Sequence, residues 1–345
     1  MKIYEERRLK LTENLSGDIA VIIPGSVLAN RSNDTAYPFR QDSNFYYLSG
    51  FNEPDSTLMI ISKSGKTNSI GFVPKKDKLK EIWDGFRYGP DGMKSDFGFN
   101  DAFNNDEIDE LLPDLLDGVS CVYYPFGKVD GFDQKVIKWT KKANSKDRHS
   151  KKMEIADISK IIGNKRLIKD SSEINIIEKA CKISANAHLE AMKFVKPGMN
   201  EAEVEAFYLY EFAKNGGRFP AYNPIVASGE NACVLHYVEN NQVINDGDLL
   251  LIDAGCEYEM YASDITRTFP ANGKFSDEQL QIYKIVLEAQ KASVDAVSKG
   301  NGVMDPQKIS EKVITEGLID LGIIKGNLEE EHEKGSFKDF YMHKI

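Results

Sequence analysis

The chain has 345 residues, a length typical of about two domains, and carries a formal net charge of −10. This acidic balance argues against a protein whose main partner is nucleic acid, because such binding depends on clustered lysines and arginines. No apolar run approaches the ~18 residues that a membrane span needs. A charged N-terminus and four scattered cysteines predict a cytoplasmic protein with reduced thiols.

The first region of the chain alternates short apolar runs with helical patterns. Runs rich in β-branched or aromatic residues, bounded by Gly or Pro, predict strands at 20–25, 45–48, 57–61 and 69–73. Helical patterns occupy 107–116 and 132–142. This mixture predicts an α/β domain around a central sheet.

The second region opens with a pair of helices, and a similar pair follows later in the chain. Asp170 and Glu173 have the spacing of a capping box, and a second helix is predicted to start at Asn200. The later pair starts at Ser276 and at Asp305, where a proline follows. The repeated arrangement indicates two related halves.

Strands are predicted after the first helix pair but hardly after the second. The first pair is followed by strand patterns at 223–227, 234–238 and 249–269. After the second pair only the short apolar run 340–343 remains. We therefore expect the second half to lack its sheet.

The most informative stretch is 246–269, which predicts two strands joined by a tight turn at 258–259. Asp is uncommon inside strands, yet Asp253 and Asp264 both fall there. A register centred on that turn places these residues opposite each other, with Cβ atoms ~4.5–5.5 Å apart. Such a carboxylate pair needs a proton or a cation between its members and suits Mn²⁺, Co²⁺ or Zn²⁺. A surface hairpin whose aspartates face water or pair with Arg267 is the alternative.

His236 is the second candidate, on the strand predicted at 234–238. A histidine beside a carboxylate pair can move protons or polarise a carbonyl near neutral pH. A core or edge histidine satisfied by its neighbours fits the same pattern. Cys233 and His236 have C-x-x-H spacing, but no second pair at zinc-finger spacing accompanies them. The sequence also contains no Walker or dinucleotide-type glycine loop and no G-x-S-x-G elbow.

Several stretches together resemble one protein family. The aspartate hairpin, residues 228–237 (SGENACVLHY) and residues 218–223 (RFPAYN) are similar to Xaa-Pro aminopeptidase, also called aminopeptidase P. Upstream, residues 37–51 and the Glu-Ile-Trp at 81–83 resemble the N-terminal domain of that family. The resemblance extends over most of the chain and rests on long motifs.

This resemblance implies the fold class. An α/β N-terminal domain with a central mixed sheet, residues 1–165, is expected to precede an α+β pita-bread metallopeptidase domain, residues 166–345. The pita-bread domain is a pseudo-symmetric pair of halves, which agrees with the repeated helix pair. We expect this second domain to be incomplete, because the family places a histidine and two glutamates of its metal site after the position of His343.

The resemblance also implies the residues of the metal centre. Asp253 matches the aspartate that holds one metal ion, and Asp264 matches the aspartate that bridges both ions. His236 is similar to the histidine that contacts the substrate near the scissile bond. His343 matches a second histidine on the substrate side. These four residues form the expected catalytic centre.

Two aromatic residues resemble positions near the substrate channel. They are Tyr222 in the second region and Trp83 in the first, and Trp83 is expected to reach a neighbouring subunit. Both are also explained as ordinary core or surface aromatics.

The implied cofactors are two divalent metal ions, with Mn²⁺ favoured over Co²⁺ or Zn²⁺. A hydroxide bridging the two ions would be the nucleophile, because the cations lower the pKa of bound water. The implied substrates are peptides with N-terminal Xaa-Pro, from which the first residue is released. A homo-oligomer is expected, with neither nucleic acid nor membrane as a partner.

The position of the missing ligands limits the expected activity. With only two carboxylate ligands, residues 1–345 are expected to hold less than one tight divalent ion and to show negligible peptide hydrolysis. One alternative is a prolidase, which cleaves only Xaa-Pro dipeptides. Another is a non-catalytic remnant that acts as an interaction module through its N-terminal domain.

Overall fold

The computed structural model describes residues 2–146 and 152–343. The chain divides into two compact units, Met1–Asp170 and Ser171–Ile345, and each has hydrophobic clusters of its own. Among the described residues, no helix is both long enough and apolar enough to cross a membrane.

A mixed sheet forms the centre of the first unit. The strands of this unit are β1 (Ile19–Pro24), β2 (Asn30–Ser32), β3 (Thr35–Ala36), β4 (Thr57–Lys63), β5 (Lys66–Val73), β6 (Asp101–Asn104), β7 (Cys121–Tyr124) and β8 (Glu154–Asp157). Six of them are arranged in the order β6-β5-β4-β1-β7-β8. β1 pairs antiparallel with β4 and parallel with β7. The mixed central sheet predicted from the sequence is therefore confirmed.

Helices cover this sheet on both faces. They are α1 (Lys2–Thr12), α2 (Ser43–Ser49), α3 (Lys78–Asp84), α4 (Gly89–Phe97), α5 (Ile108–Leu115), α6 (Phe132–Asn144) and α7 (Ser159–Leu167). Every residue of β1 is buried. Val21 belongs to the same cluster as Leu48 of α2, whereas the adjacent Ile22 belongs to the cluster of Trp139 on α6. Successive side chains of a strand point to opposite faces, so β1 contributes to both cores.

The strand predicted at 45–48 is wrong, because these residues lie in α2. The side chain of Asp42 accepts hydrogen bonds from the backbone N–H groups of Asn44 and Phe45. Gly50 ends the helix in the left-handed conformation, with φ of 68°. Two caps around a short apolar run thus outweigh the β-propensity of its aromatic residues.

The second unit combines helices with two small antiparallel sheets. Its elements are α8 (Ser171–Phe194), α9 (Glu201–Lys214), β9 (Phe219–Pro220), β10 (Ile225–Ser228), β11 (Leu249–Asp253), β12 (Cys256–Tyr258), β13 (Tyr261–Ala262), β14 (Thr266–Pro270), α10 (Asp277–Asp295), α11 (Asp305–Asp320) and α12 (Leu328–Lys334). One sheet has the order β10-β11-β14 and the other β13-β12-β9. Segregated helices and antiparallel strands make this an α+β unit.

The helix starts in this unit follow the local sequence signals. α9 begins with a capping box between Asn200 and Glu203, and α10 with one between Ser276 and Gln279. α11 carries its proline in the first turn, as predicted. The predicted repetition of a helix pair, first α8 with α9 and then α10 with α11, is therefore present in the structure.

The strand predicted at 234–238 is also wrong. A 3₁₀ helix occupies Gly229–Cys233, and the residues that follow it form a turn, so His236 lies in a turn rather than on a strand. This segment bonds to side chains of α9 instead of to a neighbouring strand; for example, the Tyr237 hydroxyl donates to the Glu201 carboxylate. Hydrogen bonds between residues far apart in the sequence thus take the place of the strand pairing that the local pattern predicts.

The caps of two helices in the first unit allow a stability prediction. We expect Asp42→Ala to lower the free energy of unfolding by about 1 kcal/mol, because it removes the N-cap of a buried helix. Asp77→Ala is the matched control, since Asp77 caps α3, which buries none of its residues. Tryptophan fluorescence in urea measures this unit alone, because Trp83 and Trp139 are the only tryptophans of the chain. Equal losses in both variants would contradict the prediction.

Candidate metal centre

The aspartate hairpin turns one residue later than its sequence predicts. Glu259 and Met260 both have positive φ, of 46° and 71°. Two such residues in succession are characteristic of a type I′ hairpin turn. Tyr258 therefore pairs with Tyr261, and the predicted turn at 258–259 is corrected.

This turn also changes the partner of Asp253. Asp253 pairs with Thr266 of β14, whereas Asp264 lies in the gap between β13 and β14, so the predicted opposite pairing of the aspartates is wrong. The backbone segments come very close beside the gap, where a Cβ on Gly255 would lie 1.8 Å from the carbonyl oxygen of Ser263. Only glycine permits this approach, and it bends the hairpin between the two aspartates.

The two carboxylates nevertheless meet at the hydroxyl group of Tyr222. This hydroxyl lies 2.5 Å from Oδ1 of Asp253 and 3.0 Å from Oδ1 of Asp264. Burial, reinforced by the two carboxylates, raises the pKa of the Tyr222 phenol above its ordinary range, so the phenol keeps its proton. One hydroxyl can donate to only one carboxylate at a time, and the Asp264 side chain is exposed, so a cation can approach the two oxygens from solvent. The pair therefore fits a divalent cation that prefers oxygen ligands.

The described part of the chain supplies few further ligands to this pair. Within residues 2–146 and 152–343, no group of three or more His, Cys, Asp or Glu side chains is placed to hold a metal ion. Asp253 and Asp264 thus stand as a pair there. Two carboxylates hold a cation less firmly than a complete ligand set, because each lost ligand reduces the affinity.

A buried histidine of α8 supports the strand that carries Asp253. His188 is 3% exposed, and its Nε2 lies 3.2 Å from the carbonyl oxygen of Ala254, the residue after Asp253. A carbonyl only accepts, so Nε2 carries the hydrogen, and Nδ1 accepts from the Tyr208 hydroxyl at 2.8 Å. Burial lowers the pKa of His188, which keeps this ring neutral.

One helical turn earlier, a serine supports the segment that carries Asp264. The Ser184 hydroxyl accepts from the backbone N–H of Cys256 at 2.9 Å and lies 2.8 Å from the hydroxyl of Ser263. Ser263 immediately precedes Asp264, and its own hydroxyl donates to the carbonyl oxygen of Cys256. Two side chains of α8 therefore hold the hairpin on both sides of its bend.

Two of the predicted histidines lie close together in the second unit. The rings of His236 and His343 are 6.3 Å apart between centroids and nearly perpendicular. His343 and Asp264 line one cavity of about 980 Å³, whose walls include Leu235 and Leu251. The structure thus brings one predicted metal ligand and one predicted histidine to the same cavity.

Trp83 belongs to a different unit of the chain from the other predicted residues. It lies on α3 of the first unit and is 88% exposed. Asp253, Asp264, His236 and the remaining candidates all belong to the second unit. The contact of Trp83 with a substrate or a neighbouring subunit stays a prediction.

Sequence reasoning missed the polar residues behind the site. Ser184 and His188 interrupt the apolar face formed by Ala180 and Ala187, and Glu201 starts α9. All three are fully or almost fully buried. A polar residue on the apolar face of a helix is the signal that could have found the first two, since buried polar groups need partners.

The fold and the carboxylate pair agree with comparisons to known families. Residues 175–345 match the family described as "Metallopeptidase family M24", and residues 4–123 match "Aminopeptidase P, N-terminal domain". These matches define a metallopeptidase of family M24, and metallopeptidases are hydrolases. The predicted family resemblance in both regions is thereby confirmed.

Individual relatives are more specific. The Xaa-Pro aminopeptidase of Haemophilus influenzae is 39% identical over 99% of this chain and 77% of the relative, and that of Escherichia coli is 38% identical over 99% and 78%. The solved structure of Pseudomonas aeruginosa aminopeptidase PepP is 40% identical, with a TM-score of 0.96 over 99% of this chain and 77% of that chain. The chain belongs to the Xaa-Pro aminopeptidase family.

The shared hydroxyl at the carboxylate pair predicts how the Tyr222→Phe variant behaves. In metal-free buffer we expect a loss of about 1–3 kcal/mol in stability, because the carboxylates lose their donor. With Mn²⁺ the loss should shrink, since the cation then offsets the repulsion. Thermal unfolding followed by circular dichroism, with and without Mn²⁺, measures both losses.

Tyr261→Phe is the control for this variant, because the Tyr261 hydroxyl donates to Glu173, a carboxylate outside the pair. The loss of stability in Tyr261→Phe should be the same with and without Mn²⁺. A Tyr222→Phe loss that is equal with and without Mn²⁺ would show that the phenol and the cation act at separate places.

Proposed function

We propose that this chain is a metal-dependent aminopeptidase that releases the N-terminal residue from peptides with proline in the second position. The observation that carries the proposal is the convergence of Asp253 and Asp264 on one hydroxyl, in a member of the Xaa-Pro aminopeptidase family. A further relative, 37% identical with a TM-score of 0.96, is described as Zn-substituted E. coli aminopeptidase P in complex with product.

In this proposal the carboxylate pair holds the cofactor. Asp253 and Asp264 would bind divalent metal, with two Mn²⁺ ions as the proposed cofactors. When bound, such ions lower the pKa of coordinated water and so supply a hydroxide nucleophile at neutral pH. Tyr222 keeps its proton beside the pair and can donate a hydrogen bond to a neighbouring carboxylate or to substrate.

The cavity next to Asp264 supports a proline-containing substrate. Its volume of about 980 Å³ accommodates a short peptide, and its mainly apolar walls suit a pyrrolidine ring. His343 lines this cavity, and His236 lies beside His343. We assign both imidazoles to the scissile peptide bond, where they can donate hydrogen bonds to its carbonyl oxygen and to the leaving nitrogen.

The proposal also includes the cellular location and the binding partners of the protein. A cytoplasmic location is supported by the four cysteines, which are all free. The net charge of −10 supports peptides rather than nucleic acid as partners.

Metal binding and peptide cleavage test the proposed reaction. The chain is titrated with Mn²⁺ and assayed with an Xaa-Pro-Xaa tripeptide and an Xaa-Pro dipeptide. Because the described residues supply only a carboxylate pair, we expect less than one tightly bound Mn²⁺ per chain and negligible tripeptide cleavage unless Mn²⁺ is in excess. Asp253→Asn should abolish the cleavage, because it removes one of the two charges.

Asp246→Asn is the control for this assay, since Asp246 is exposed and accepts a hydrogen bond from the side chain of Asn272, away from the carboxylate pair. Cleavage of the dipeptide alone would favour a prolidase. An absence of cleavage at every Mn²⁺ concentration would contradict the proposed activity and favour a non-catalytic role.

A homo-oligomer is part of the proposal, and α3 supports it. Leu79, Ile82 and Trp83 are 75%, 75% and 88% exposed, and Phe86 after the helix is 65% exposed. Within α3, the spacing of three and four residues places Leu79, Ile82 and Trp83 on one face of the helix. A contiguous exposed apolar face marks an interaction surface, and we assign it to a second copy of the chain.

Substitution of Trp83 tests this assembly. We expect Trp83→Arg to shift the chain to a monomer, because a charge in an apolar interface loses its hydration without gaining a partner. Light scattering after size-exclusion chromatography measures the mass. Val303→Arg is the control, since Val303 is 86% exposed but belongs to the second unit. An unchanged mass for Trp83→Arg would exclude α3 from the interface.

A further inference from the structure

Glu201, the first residue of α9, is a fully buried carboxylate with five hydrogen-bond donors around it. Oε1 accepts from the backbone N–H of Ser228 at 2.8 Å, from the Ser228 hydroxyl at 2.7 Å and from Nδ2 of Asn231 at 3.1 Å. Oε2 accepts from the Tyr237 hydroxyl at 2.7 Å and from the backbone N–H of Gln242 at 3.0 Å. Every donor belongs to the segment 228–242.

This set of donors keeps the carboxylate charged. Burial by itself raises the pKa of Glu201, but the hydrogen bonds from Ser228, Tyr237 and Gln242 outweigh burial and lower it. A buried charge is tolerated only when its partners are in place, so the donors and the carboxylate hold each other.

The same segment carries His236. It contains one short 3₁₀ helix and a turn, with no strand ladder to fix the turn. Tyr237, the residue after His236, is buried and reaches Glu201 through its hydroxyl, whereas the His236 side chain is exposed. The bond to Glu201 therefore acts one residue away from the imidazole.

A second residue of α9 holds the end of this segment. Glu205, one turn after Glu201, accepts from Nδ2 of Asn240 at 3.0 Å. Asn240 is 1% exposed, has a φ of 46°, and also binds the backbone of Val226 and Pro224. The residues on either side of His236 are thus tied to one face of α9.

We propose that Glu201 is a positioning residue that orders the turn of His236 and so sets the place of its imidazole beside His343. The role assigned to this imidazole at the peptide bond rests on the proposed function, whereas the ordering of the turn does not. The carboxylate of Glu201 is fully buried, and it acts through Tyr237, Asn231 and the backbone on both sides of His236.

Glu201→Gln tests the proposal with little change of shape. The carboxamide keeps one acceptor oxygen but replaces the other with an NH₂ group, which cannot accept from the N–H of Gln242. We expect amide hydrogen exchange in 229–242 to become at least tenfold faster and the ring signals of His236 in NMR spectra to shift or broaden. The exchange of α8 should stay as in the unchanged chain.

Glu203→Gln is the matched control. Glu203 lies in the same helical turn and carries the same charge, but it is exposed, and within the described residues it accepts only from the backbone N–H of Asn200. This variant should leave the exchange of 229–242 and the His236 signals unchanged. A similar effect in both variants would attribute the result to the charge at the helix start and overturn the proposal.

Tyr237→Phe provides a second test. Where Glu201→Gln does not fold, Tyr237→Phe is compared with the unchanged chain, and equal exchange around His236 would overturn the proposal. Tyr237→Phe removes one donor to Glu201 and should accelerate exchange around His236 by a smaller factor than Glu201→Gln. In the double variant the two effects should not multiply, because both act through the same carboxylate. If the accelerations of exchange caused by the two substitutions multiply in the double variant, the proposal is overturned.

Kinetics separate this proposal from the proposed function. If the chain cleaves the tripeptide, Glu201→Gln should lower kcat with a smaller change in KM, because a displaced imidazole affects the reacting bond more than the rest of the peptide. If the unchanged chain cleaves nothing, the proposed function fails, while exchange and the His236 signals still decide the role of Glu201. Unchanged exchange and signals in Glu201→Gln would overturn that role whatever the activity.

Discussion

The close approach of the backbone at Gly255 and Ser263 is the constraint on which the candidate metal centre depends. A side chain at position 255 would collide with the carbonyl oxygen of Ser263, so the hairpin bends there only because residue 255 is glycine. The bend separates β12 and β13 from β11 and β14, which belong to a different sheet. Asp253 and Asp264 lie on either side of it, and their carboxylates converge on Tyr222. A residue without a side chain thus determines where two charged side chains meet.

Buried polar groups of two helices then hold this arrangement in place. Ser184 and His188 of α8 bind the backbone or side chains next to the two aspartates, and Glu201 of α9 binds the segment of His236. Apolar contacts are non-directional, whereas a buried hydrogen bond requires one distance and one angle. A helix that presents polar groups to the core therefore specifies the position of a neighbouring loop more closely than an apolar helix face does.

Local signals in the sequence predicted many of the elements, and their failures have one cause. The capping boxes that start α9 and α10 and the apolar run of β1 act through neighbouring residues, so they could be identified without the structure. The short apolar runs at 45–48 and 234–238 fit a strand equally well by pattern alone. Caps at Asp42 and Gly50 stabilise the first run as a helix. In the second run, the hydrogen bond from Tyr237 to the distant carboxylate of Glu201 stabilises a turn.

The sequence by itself determined the family and identified the candidate pair Asp253 and Asp264, because long motifs are local properties of the chain. The tertiary structure alone decided the hairpin register. The register depends on positive φ angles at Glu259 and Met260, which the pattern of side chains in the sequence does not predict. The tertiary structure also decided that Tyr222 lies between the carboxylates. Such contacts join residues far apart in the chain, so they follow from packing and from the need of buried polar groups for partners.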